Sequence, residues 1–105
     1  MAQTLKVSDF SRFPGGRHIR DGENSGELFR KEVFDAAVST GEPITVDLRD
    51  LEILLPSFVD EAFGPYCQQV GAEKFKSSIE FIYPHPDSEA EFFVKQTIER
   101  RSKQK

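Results

Sequence analysis

Tryptophan is absent from this 105-residue chain, and cysteine and methionine occur once each. One cysteine, Cys67, cannot close an intrachain disulfide, so a disulfide-stapled scaffold is excluded. A reducing cytoplasm is therefore the expected setting. Two histidines leave little material for a metal centre, which needs several convergent ligands. His18 and His85 lie in separate loop-like stretches, and neither has a partner at metal-ligand spacing. No metal site is expected. No apolar run approaches the ~18–20 residues of a membrane span. The opening Met1-Ala2-Gln3-Thr4-Leu5-Lys6 lacks the apolar region of a signal peptide. No Gly-x-Gly-x-x-Gly or phosphate loop occurs; Pro14-Gly15-Gly16 reads as a turn, with no helix directly after it. No cofactor is expected.

What the chain does have is phenylalanine, ten copies, enough to build a folded core rather than a disordered chain. The length fits one domain over residues 1–105. Net charge is −4, unevenly spread. Residues 92–105 carry Lys95, Arg100, Arg101, Lys103 and Lys105 against Glu99, a local +4. Such an end fits a helical last turn, where cations complement the dipole, followed by a solvated tail frayed over 100–105. Nucleic-acid binding through this tail ranks last among the functional readings.

Hydrophobic spacing gives the elements. Leu5-Lys6-Val7 with Phe10 reads as a short first strand. Residues 12–24 gather Pro, Gly and Asn and form a loop, with room for a short edge strand near His18–Arg20. Ser25 is an N-cap candidate, and Asn24 with Glu27 the alternative pair, for a helix running to about Val38. Its apolar face is Phe29, Val33, Ala36 and Ala37, with Phe34 and Val38 beside it. Thr40-Gly41-Glu42-Pro43 ends it, and Ile44–Leu48 is the clearest strand. A second helix starts near Pro56 or Ser57 and aligns Val59, Ala62, Phe63, Tyr66 and Val70 on one face. Pro65 lacks an N–H and predicts a kink or a break there. Gly71 is its stop. Residues 78–83 read as a strand, broken by Pro84-His85-Pro86; Ser88 with Glu91 forms a capping box opening a last helix that frays by Ser102. Alternation of this kind predicts an α/β fold: a mixed sheet with parallel pairs and about three helices packed on it.

Chemistry is sparse. Cys67 sits on an apolar helix face and reads as packing. Asp47, Asp50 and Glu52 cluster around a strand end, and Asp60-Glu61 near a helix start. Asp50 and Glu52 read as solvated, and Asp60 as a carboxylate suited to the first turns of a helix. No motif surrounds these groups, and no enzyme activity is expected. Arg30 is the expected partner of Glu27, three residues before it.

Two stretches stand out. One joins Arg17 to Ser25-Gly26-Glu27-Leu28-Phe29-Arg30. The other is Val46-Asp47-Leu48 and, seven residues on, Pro56-Ser57-Phe58-Val59-Asp60-Glu61-Ala62-Phe63-Gly64. Together they resemble the STAS-like family of small bacterial domains of unknown function, over roughly residues 5–83. The resemblance implies a small STAS-type α/β sandwich, the fold of sulphate-transporter domains and anti-sigma-factor antagonists. Such antagonists act without catalysis. They bind a kinase-like, ATP-binding anti-sigma factor, which phosphorylates a serine at the start of the second helix and so releases itself. Ser57 is the matching serine; the bare residue reading makes it the N-cap instead. The implied partner surface is Pro56, Ser57, Phe58, Asp60 and Glu61. The alternative function is nucleotide or small-anion binding by Arg17, Arg20, Ser25, Glu27 and Arg30, since guanidinium forks suit anions.

Overall fold

The computed structural model describes residues 3–18, 20, 22, 24–85 and 88–103. Three strands, β1 (Gln3–Lys6), β2 (Ile44–Asp47) and β3 (Ile79–Ile82), form one sheet in the order β1-β2-β3. Both pairs are parallel, so the sheet holds the expected parallel pairs and, among the described residues, no antiparallel one. Register places Leu5 beside Val46 and Val46 beside Phe81. Ile44 and Ile79 lie on the same apolar face, while Thr4, Lys6, Thr45 and Glu80 take the alternate positions. Strands added in sequence order, each by a right-handed crossover, put all their helices on one face. The apolar face is that one, as Phe63 and Phe75 against Phe81 show, and no helix among the described residues layers the polar face.

The strand expected at Leu5-Lys6-Val7 ends a residue early. Val7–Phe10 turns into a one-turn helix, α1, closed by the Ser11 N–H donating to the Val7 carbonyl at 2.9 Å. Val7 and Phe10 are three apart, a spacing that fits a helical turn as well as a strand margin. His18 and Arg20 belong to no strand, and Ile19 lies outside the described residues. Pro86 of the predicted break also lies outside them, as do Gln104 and Lys105 of the tail.

The first long helix is three pieces: α2 (Gly26–Phe29), a π-helical turn (Arg30–Phe34) and α3 (Asp35–Val38). Residues five apart are nearly superposed in a π turn. That is why Phe29 and Phe34 are both fully buried, whereas Ala36, expected on the core face, is exposed. Ser25 is the N-cap, its hydroxyl accepting the Leu28 N–H at 3.1 Å. Ser88 likewise accepts the Glu91 N–H at 3.3 Å and opens α6 (Glu89–Ser102).

Pro65 does not break the second helix. α4 runs unbroken from Pro56 to Val70. A proline removes the bond to the carbonyl four residues back, here that of Glu61. Arg30 Nε donates to that carbonyl at 3.2 Å and replaces the missing partner. Gly71, at φ 91°, then turns the chain into a further helix, α5 (Ala72–Ser78), which the sequence pattern does not announce because Phe75 is its one buried residue.

α4 lies between α2 and α6, with every residue from Phe58 to Gly64 buried. Phe63 is its hub. Its ring meets Phe34 at 5.1 Å, Phe81 at 5.3 Å and Phe29 at 5.9 Å, each edge to face. This joins the first helical stretch, α4 and β3 in one aromatic core.

Candidate functional site

The chemically densest place is the flank of α4 where Asp60 and Glu61 face inward. A run of seven buried residues that includes two carboxylates must supply them with partners. Asp60 has 6 % of its side chain exposed and accepts from three arginines. Arg101 donates through Nη2 at 2.9 Å and Nε at 3.1 Å, Arg100 through Nη2 at 2.5 Å, and Arg17 through Nη1. Burial alone would raise the Asp60 carboxyl; hydrogen bonds from Arg101, Arg17 and Arg100 outweigh it and hold the group far below the ordinary aspartate range. Glu61 is held by Arg30 Nη2 at 2.9 Å, with Arg17 Nη1 at 3.7 Å. Arg101 also donates to Gln68 at 3.1 Å.

Two glycines make room for this arrangement. A methyl group on Gly64 would lie 2.7 Å from Arg101 Nε, and displacing that guanidinium would open the grip on Asp60. A methyl on Gly26 would lie 2.5 Å from the Phe58 carbonyl, so glycine alone lets α2 approach α4 this closely.

Several expectations are corrected by this geometry. Arg30 does not pair with Glu27; it reaches Glu61, while Glu27 meets Lys31 at 3.1 Å and His18 Nδ1 at 3.5 Å. Asp60, read as a carboxylate favouring the helix start, is instead buried and held by three arginines. Arg100 and Arg101 do not belong to a frayed tail; α6 continues through Ser102 because both side chains are anchored. Lys95 pairs with Glu91 and Lys103 with Glu99, so much of the basic end is matched within the chain. The pairing of Arg100 and Arg101 with Asp60 is not legible in the sequence. The available signal was the Asp-Glu pair inside an otherwise apolar run, which demanded cations from elsewhere.

Of the residues assigned to a partner surface, Phe58 is a fully buried core ring, and Asp60 and Glu61 are closed in by arginines. Pro56 and Ser57 remain accessible. Ser57 is not the N-cap. Leu55 holds that position without a side-chain bond, Pro56 is the first helical residue, and the Ser57 hydroxyl has no hydrogen-bond partner among the described residues. In the other set, Arg17 and Arg30 do converge on the Asp60-Glu61 pair, whereas Arg20 is exposed apart from them. Ser25 is buried as a cap. The start of α2 offers no free donors: Gly26 N–H bonds the Gly16 carbonyl, Glu27 N–H the Arg17 carbonyl, and Leu28 N–H the Ser25 hydroxyl.

Next to Ser57 the surface is apolar. The loop after β2 is pinned to the loop after α1 by Glu52 N–H donating to the Arg12 carbonyl at 2.7 Å and by the Arg12–Glu52 ion pair at 2.5 Å. Leu55 packs on Gly15. Phe13, Ile53 and Leu55, which these contacts gather, are 57 %, 50 % and 39 % exposed. On the open sheet face, Asp47 accepts from Arg49 N, Nε and Nη2 at 2.9–3.0 Å, which lowers its pKa. Burial raises that of Cys67, whose thiol is enclosed in the core. Among the described residues, no group of three or more His, Cys, Asp or Glu is placed to hold a metal ion, and no helix is long and apolar enough to cross a membrane.

No curated protein and no solved structure matches the chain. A family model, the STAS-like domain of unknown function (DUF4325), matches residues 25–89, from the cap of α2 to the first residue of α6. The fold, with its parallel sheet and one-sided helix layer, agrees with that description, and the chain belongs to the STAS-like domain family.

Proposed function

We propose that the chain is a non-catalytic interaction module of the anti-sigma-factor-antagonist type, working in the bacterial cytoplasm. It binds a signalling protein, a kinase-like ATP-binding regulator, at the start of α4. The observation that carries this reading is the exposed cluster of Phe13, Ile53 and Leu55 around the accessible Pro56 and Ser57. Exposed apolar side chains gathered in one place mark contact surfaces more than singly scattered ones do. A phosphoryl group on Ser57 would sit in the first turn of a fifteen-residue helix, where the dipole tolerates its charge. The fold would survive modification while the apolar contact would not. The test is capture from host lysate with Mg-ATP, using wild type, Ser57→Asp and Ile53→Asp. We expect a kinase-like partner on the wild type, and at least a tenfold loss with each variant at unchanged melting temperature. Undiminished capture by both variants would overturn the reading.

The second reading is small-anion binding. Arg17, Arg30, Arg100 and Arg101 face Asp60, Glu61 and, 4.0 Å from Arg30, Asp35, an excess of one positive charge. Arg17 and Arg100 stay 37 % and 49 % exposed, leaving guanidinium edges for phosphate oxygens. A ligand at ten times its dissociation constant adds about 1.4 kcal/mol to the folded state. For a domain of this size that raises the melting temperature by roughly 6 °C or more. A shift of that size with millimolar ATP or pyrophosphate, absent in Arg100→Ala, is the expected result; no shift would leave the interaction reading alone.

A further inference from the structure

Along β3 the sheet ends. The Leu48 N–H donates to the Ile82 carbonyl at 2.9 Å, so Ile82, and Glu80 two residues before it, direct their backbone groups at β2. Those of Phe81 therefore point outward, and among the described residues nothing pairs with them. The other sheet edge is guarded, because the outward position Lys6 of β1 carries an exposed charge. The β3 edge carries no lysine. Beside it runs a groove of about 690 Å³ between α5 and α6, floored by Phe75, Ile79, Phe81, Val94 and Ile98. That volume is within the range that holds ligands. The rim has two lysines, Lys76 and Lys95, and two glutamates, Glu80 and Glu99, so it carries no net charge. α6 also takes the crossover position that leads, in each earlier β–α unit, to the next strand. Among the described residues no strand fills the place beside β3.

We propose that this edge binds an extended segment of a partner protein as a fourth strand. Backbone pairing to Phe81 supplies affinity, and apolar side chains at every second position of the segment enter the groove. The residues between them fall on the polar face of the sheet, beside Glu80 and solvent, and are polar. The site shares no residue with the α4 start or the loops around it, so it stands or falls separately from the function proposed above.

The test is selection of displayed random decapeptides on the intact chain, followed by amide hydrogen exchange with the enriched peptide bound. We expect a consensus of apolar residues two apart and at least tenfold slower exchange at Phe81, with Ile82 protected before and after. Ile98→Arg should weaken binding at least tenfold; if that variant does not fold, the Phe81 amide decides. The proposal would be overturned by no enrichment, by a consensus with helical three- and four-residue spacing, or by binding that leaves Phe81 exchange unchanged. A chain that is already dimeric, with Phe81 protected, would give the edge to a second copy and equally overturn it.

Discussion

Replacing Asp60 by Ala should cost about 3 kcal/mol at neutral pH, because it leaves a set of partly buried guanidiniums without their counter-charge. Three arginines converge on that carboxylate, and two of them, Arg100 and Arg101, hold α6 against α4. The effect should depend on pH in a stated direction. The Asp60 pKa is lowered in the folded chain, so the carboxylate stabilises fully above the unfolded aspartate pKa of ~4. That contribution fades as pH falls further, because the unfolded state takes up the proton first. Denaturant melts of wild type and Asp60→Asn from pH 7 down to pH 2.5 check this. The gap between the two should be widest at pH 7 and should narrow below pH 4. A gap that widened in acid would contradict the assignment.

Phe63→Ala should have the larger effect, about 4 kcal/mol. The ring is almost wholly buried and meets three others edge to face, so its removal costs transfer energy and leaves a cavity. Domains of this kind have only ~5–15 kcal/mol in total. A urea melt should show a large drop in midpoint with little change in slope. A loss below about 1 kcal/mol would mean that the aromatic core relaxes to fill the space.

The sequence announced most of the scaffold. Ile44–Asp47 and Ile79–Ile82 were legible because β-branched and aromatic residues crowd short runs there. Ser25 and Ser88 were legible because a hydroxyl before a helix has a local target. The continuity of α4 across Pro65 is not legible locally, because the compensating donor, Arg30, lies 35 positions earlier. The cluster around Asp60 was hidden for the same reason. Its cations come from residues 17, 100 and 101, and no local periodicity records where α6 lands. Phe58 falls on the partner surface only by the resemblance, which puts a contact at the start of the second helix, whereas its ring faces Phe29 and Phe10.

The mended carbonyl of Glu61 also bears on the order of folding. α4 taken alone carries a defect at its centre, and the group that repairs it arrives only when the first helical stretch docks. Gly26 requires that docking to be intimate, since its backbone lies against the Phe58 carbonyl. The longest helix among the described residues is therefore a product of assembly rather than a seed for it. Ordering α2 and completing α4 are thereby coupled through one long-range contact, the kind whose closure slows folding.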